Sequence, residues 1–122
     1  MDAAKIFWDA DRTIPIDPSD PEIARLHKEL SRVQEEKMTA VALAIKTVQA
    51  AAAAVQRALD CSKLFDIEDM SDPRTIGLHA ELEAARLQSQ AACAIASEKM
   101  QAFVDVLKAI EATARKRNLN FN

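Results

Sequence analysis

One glycine, four prolines, no tyrosine and two cysteines are all that this 122-residue chain carries of the residues that build turns, strand faces and disulfides. Gly and Pro are missing altogether from Glu22 to Asp72 and again from Leu78 to Asn122. A sheet needs turn residues every few positions and strands rich in β-branched and aromatic side chains, so this sparse punctuation excludes a β protein. Cys61 and Cys93 are too few for a disulfide framework in so small a chain and fit a reducing compartment. The opening "MDAAKIFWDADR" lacks the cationic-then-apolar order of a signal peptide. No unbroken apolar run approaches the ~20 residues of a membrane span. The expectation is a cytoplasmic protein without a membrane partner.

A basic face is lacking too. The net charge of −3 divides into −3 for residues 1–20, +2 for 21–64, −4 for 65–72 and +2 for 73–122. The segments that read as helices are nearly neutral and the ones between them acidic. That distribution disfavours nucleic acid as a partner, because phosphate binding rests on clustered cations. The one basic cluster, Arg115 to Arg117, sits where cations favour a helix C-terminus. A nucleic-acid-associated protein using that end is the first alternative to the reading reached below.

What the chain does contain is a phrase used twice. "SDPEIARLHKEL" from Ser19 and "SDPRTIGLHAEL" from Ser71 share seven of twelve residues at an offset of 52, including the only two histidines. Each phrase reads as a helix start. Pro suits the first turn, where its missing N–H would be unpaired anyway, and the Asp or Ser before it can accept from the free amides. Ser19 with Glu22 also has the spacing of a capping box, whereas Arg74 stands at the matching place in the second copy.

Beyond the first start, Ile23, Leu26, Leu30, Val33, Val41, Ile45, Val48, Val55 and Leu59 keep three-and-four spacing with one slip between Val33 and Val41. In the second half Leu82, Cys93, Ala96, Met100, Phe103, Leu107, Ile110 and Ala114 do likewise. The pattern predicts a first helix over about 20–64, a connector over 65–72 and a second helix over about 73–117, together a helical domain 19–122 behind an extended arm, 1–18. Helices of this length run for about 65 Å, and eight connecting residues reach at most about 28 Å, so the second helix must return antiparallel to the first. Folding about the connector sets residue i opposite roughly 137 − i. The apolar belt "AVALAI" from Ala40 then meets "AACAIA" from Ala91.

The fold class is therefore all-α: a long antiparallel two-helix hairpin of coiled-coil character. A hairpin buries only the stripe between its helices, so belts six residues wide leave apolar surface uncovered. The expected cover is a second copy, giving a two-fold four-helix bundle. Val41, Leu43, Ile45, Ala92, Cys93, Ile95, Met100 and Phe103 are the expected interface, and Ile6, Phe7 and Trp8 in the arm are a candidate contact for another protein.

Chemistry is hard to find. His27 and His79 lack the Glu three residues earlier that carboxylate-bridged helical metal sites use, since Ala24 and Ile76 stand there. A bundle binding metal through the repeated histidines is the second alternative. Cys93 has no base in reach and reads as a small buried hydrophobe, with Cys61 the more exposed of the two. The acidic connector "DIEDMSD" lacks the central Gly and closing Glu of a calcium loop. The sequence reads as a non-enzymatic protein–protein interaction or assembly module, an adaptor, small chaperone or structural component, without a cofactor.

Overall fold

The computed structural model describes residues 17–121, with side chains as far as Asn118. Helix α1 is Pro21–Cys61 and helix α2 is Pro73–Phe121. They pack against each other, and the described residues contain no strand. Residues 1–16, and with them Ile6, Phe7 and Trp8, lie outside the described residues. The helices contribute to two compact units: one takes in 17–36 and 100–121 of the described residues, the other is Lys37–Lys99.

Both helices start by the same device. Asp20 caps α1, its Oδ1 accepting the Glu22 N–H at 2.9 Å, and Asp72 caps α2, its Oδ1 accepting the Arg74 N–H at 2.9 Å. The serine before each cap does not cap. Ser19 donates its N–H and hydroxyl to Asp17 Oδ1 at 2.9 and 2.6 Å, and Ser71 donates the same two groups to Asp69 Oδ1 at 3.0 and 2.6 Å. The capping box expected of Ser19 and Glu22 is thus replaced: Ser19 serves Asp17, and the Glu22 carboxylate takes Arg25 at 2.9 Å instead.

α1 stops at Cys61, three residues before the expected end. There the ladder tightens, with Lys63 and Leu64 donating to the carbonyls of Asp60 and Cys61, three residues back, and the Ser62 hydroxyl taking the Leu59 carbonyl at 2.6 Å. The connector is correspondingly longer, 62–72. α2 runs past the expected end near 117 to Phe121, because no Gly or Pro follows to stop it.

In the first unit Ile23, Leu26, Leu30 and Val33 of α1 bury against Ile110 of α2, flanked by Phe103, Val106 and Leu107. Asp20 and Arg117 join at 2.7 Å across the helix pair, the partners that the 137 − i register assigns. In the second unit the buried cluster is Ala40 and Ala44 with Ala92 and Ala96, Val41 packing beside it, and Arg57 pairs with Glu81.

Among the buried and half-buried positions of α1, one set keeps three-and-four spacing within each unit, Ile23, Leu26, Leu30 and Val33 in the first and Lys37, Ala40, Ala44, Thr47, Ala51, Ala54, Ala58 and Cys61 in the second, with Glu22, His27, Glu29, Gln34, Glu36 and Val41 half-buried beside it. In α2 the same spacing is kept by Thr75, Leu78, Leu82, Ala85, Ser89, Ala92, Ala96 and Lys99 in the second unit and by Phe103, Val106 and Ile110 in the first, with Ala102, Leu107 and Ala109 half-buried beside them. This is the spacing of a coiled-coil seam. The slip expected after Val33 does not occur. The seam passes from large aliphatics to alanine while Val41, Ile45, Val48, Val55 and Leu59, expected on it, move one position to its side. Cys93 and Met100 of α2 likewise sit beside the seam and are exposed, reversing the expected order of the two cysteines, since Cys61 is half-buried. Short alanine side chains let the backbones approach, and larger residues are displaced to the flank.

The connector is held to the second helix by backbone carbonyls. The fully buried Thr75 hydroxyl donates to the Asp66 carbonyl at 2.9 Å. His79 Nε2 lies 2.8 Å from the Ile67 carbonyl, which can only accept, so that nitrogen carries the proton. Arg74 lies over the Phe65 ring at 4.2 Å.

Two substitutions weigh these contacts, each read by urea or thermal unfolding at fixed protein concentration. Ile110→Ala should destabilise by about 2–5 kcal/mol through the lost transfer energy and the cavity left among Ile23, Leu26 and Leu30. Thr75→Val, matched in shape, should cost about 0.5–1.5 kcal/mol because the part-buried hydrogen bond to the Asp66 carbonyl is lost; a neutral result would show that water replaces it.

Candidate interaction surface

The flanks of the seam decide what the hairpin can offer another molecule. Arg57 and Glu81 each precede a seam residue, Ala58 and Leu82, and they pair, so residues preceding the seam share one side of the second unit. Residues following the seam share the other.

On that following side α1 presents Met38, Val41, Ile45, Val48, Ala52, Val55 and Leu59, again alternating by three and four. Ile45, Val48, Val55 and Leu59 are 53, 47, 51 and 54% exposed. On α2 the same side carries Glu83, Arg86, Gln90 and Cys93, and Arg86 is held by Glu83 at 2.6 and 2.9 Å. On the preceding side lie Leu43 and Ile95, both about half exposed, next to Lys46.

The residues expected to form one interface thus fall on different surfaces. Val41, Ile45 and Cys93 lie on the following side of the second unit, Leu43 and Ile95 on the preceding side, and Ala92 is buried in the seam itself. In the first unit Phe103 packs against the Ile23–Ile110 cluster and Met100 is exposed. Val48, Val55 and Leu59 were legible as apolar residues at helical spacing, but that spacing alone could not separate a buried seam from the stripe next to it.

Size is inverted in the second unit. On the α1 side its seam is mostly alanine and the larger aliphatics stand outside, while α2 contributes the buried Leu78 and half-buried Leu82. A buried methyl group contributes about 0.8 kcal/mol, against about 1.5–3 kcal/mol for a buried Leu, Ile or Val side chain, so the half-exposed Ile45, Val48, Val55 and Leu59 leave part of this unit's available hydrophobic stabilisation unrealised.

The same composition gives α1 a long stretch of low charge. Met38 to Val55 holds a single ionisable side chain, Lys46, and by length and composition α1 is long and apolar enough to cross a membrane; 17% of its 18-residue apolar stretch is buried in the fold.

Many of the charged groups are engaged in structure, whereas the buried Gln34 Oε1 has no hydrogen-bond partner among the described residues. Among the described residues the carboxylates that leave their ordinary range all go down: Arg117 holds Asp20 low, Arg32 does so for Glu29, Arg74 for Asp72 and Arg86 for Glu83, while the Ser19 hydroxyl and N–H lower Asp17. These groups are anions at neutral pH and poor proton donors. Of the C-terminal cations, Arg117 takes Asp20 and Arg115 takes Glu111 at 2.9 Å. In the connector Asp66 Oδ1 accepts the Glu68 N–H, and Asp69 and Asp72 serve Ser71 and Arg74, so their oxygens are occupied by the turn itself. His27 is half-buried on α1 with a partner of its own. Among the described residues no three of His, Cys, Asp or Glu lie close enough together to hold a metal ion.

Asp20 supplies a pH test. Its carboxylate is lowered by Arg117, so the stability it contributes is present above the ordinary carboxylate value and is lost as pH falls through the lowered one. Asp20→Asn keeps a capping oxygen but not the charge. Melting temperatures should therefore differ between wild type and variant at pH 7 and converge towards pH 2; a gap unchanged across that range would show that the ion pair contributes nothing. Set against family models, curated proteins and solved structures, the chain matches none of them.

Proposed function

We propose that the chain is a non-enzymatic protein–protein interaction or assembly module of the cytoplasm, acting as a homodimeric helical bundle. One observation carries this reading: in the second unit alanines fill the seam while Met38, Ile45, Val48, Val55 and Leu59 stand in a row outside it. Monomeric proteins scatter exposed aliphatics singly, whereas a row in coiled-coil spacing has the form of an unfilled helix–helix contact. A second chain that covers it supplies the hydrophobic stabilisation that the alanine seam does not. In this reading the dimer is the scaffold, and Ile6, Phe7 and Trp8 of the arm are a further contact for a different protein. The carboxylates and arginines that pair with each other on the surface accord with a module that binds through apolar surface and performs no chemistry.

The test is the mass in solution. Light scattering across the micromolar range should give twice 13.4 kDa, with dissociation on dilution. A single 13.4 kDa species up to about 100 μM, where even a weak specific dimer would form, overturns the proposal.

A further inference from the structure

Resting on the dimer just proposed, we infer that the second copy docks antiparallel on the outer stripe of α1, with a two-fold axis at Val48. The spacing of Met38, Val41, Ile45, Val48, Ala52, Val55 and Leu59 is that of a coiled-coil seam, so the occupant is a helix crossing at a shallow angle. The stripe also reads nearly the same in both directions. Laid antiparallel on itself about Val48, it sets Met38 against Leu59 of the copy, Val41 against Val55, Ile45 against Ala52 and Val48 against Val48. Large meets small at Ile45 and Ala52, which fills space that a parallel pairing would leave empty at Ala52 and overfill at Ile45.

A two-fold axis demands a self-complementary patch, and this one is. The row from Met38 to Leu59 is about 30 Å long at 1.5 Å per residue. Half of a large aliphatic side chain is available at each of five positions; doubled by symmetry and extended by Val41, Ala52 and the flanks, that reaches the ~1,000 Å² at which specific interfaces begin.

The flanks fit the same arrangement. Gln49 meets Gln49 of the copy beside the axis, where two amides can satisfy each other. Because the intrachain seam lies on the same side of both α1 helices, α2 of each copy comes beside α2 of the other through Glu83, Arg86 and Gln90. Arg86 already has Glu83 and Gln90 as partners within its own chain, so this second contact brings no unpaired charge. The product is a four-helix bundle led by α1, with a polar seam between the two α2 helices. Leu43 and Ile95, on the opposite flank, take no part.

Two single substitutions at exposed, helix-compatible positions distinguish the flanks. Val48→Glu puts two carboxylates against each other on the axis and should raise the dimer dissociation constant at least about a hundredfold, whereas Leu43→Glu should leave it within a few-fold. Circular dichroism of each variant at wild-type helicity shows that the hairpin itself is intact. In a Cys61→Ala, Cys93→Ala background, Val48→Cys should oxidise to a covalent dimer and Leu43→Cys should not, because only a residue on the axis faces its own copy. If the wild type is dimeric but Leu43→Glu dissociates it and Val48→Glu does not, the α1 stripe is overturned while the dimer stands. A monomeric wild type overturns both.

Discussion

Everything in this molecule follows from a geometric limit: two helices joined by a short connector can bury one stripe of each, and no more. The stripe that the chain buries keeps three-and-four spacing along both helices, but it changes material on the way. Ile23, Leu26, Leu30 and Ile110 make one unit a conventional apolar core, and Ala40, Ala44, Ala92 and Ala96 make the other a close contact of small side chains. Alanine in a seam favours backbone proximity at the expense of apolar area. The area is displaced to the neighbouring stripe, where no other described residue covers it.

The helix starts show the same economy of means. Asp17 and Asp69 were not part of the repeated phrase as the sequence presents it, yet they extend it: each accepts the N–H and hydroxyl of the serine two residues on, and each carbonyl accepts the N–H of the capping aspartate, at 3.2 and 3.1 Å. Proline then opens the helix. The two copies part company in the next layer of contacts, where Asp20 meets Arg117 from α2 and Asp72 meets Arg74 on its own helix. A common capping device has thus been fitted to two surroundings, one closing the helix pair and one closing only itself.

Much of the fold was legible in the residues. The absence of Gly and Pro over two long stretches, the paired helix starts and the antiparallel return all appear in the structure, and the opposition of Asp20 to Arg117 follows from the connector's position alone. The ends were less so, because Cys61 and Phe121 are set by local hydrogen bonding and by the lack of a stop signal. The face of α1 was misread for a physical reason. Periodicity weighs side chains by hydrophobicity, and where Ala40, Ala44, Ala54 and Ala58 form the seam, the stronger signal comes from the stripe beside it. The apparent slip after Val33 was the change from one stripe to the other. For the same reason Leu43 and Ile45, two residues apart in a single apolar run, could not be assigned to opposite flanks until Arg57 and Glu81 showed which sides the helices share.

The placement of the large aliphatic cluster also bears on how the chain reaches its fold. Ile23 and Ile110, the two large aliphatics that are fully buried, are separated by most of the sequence, while the buried side chains near the connector are Ala54, Ala58, Thr75 and Leu78. Loop-closure entropy must be overcome before contacts as distant as Ile23 and Ile110 return anything, whereas the helical hydrogen bonds and the contacts beside the connector are local. During that interval the apolar row of α1 is on display in every nascent chain. In the proposed dimer, an encounter between two such chains then competes with completion of either one, and assembly and folding share one kinetic event.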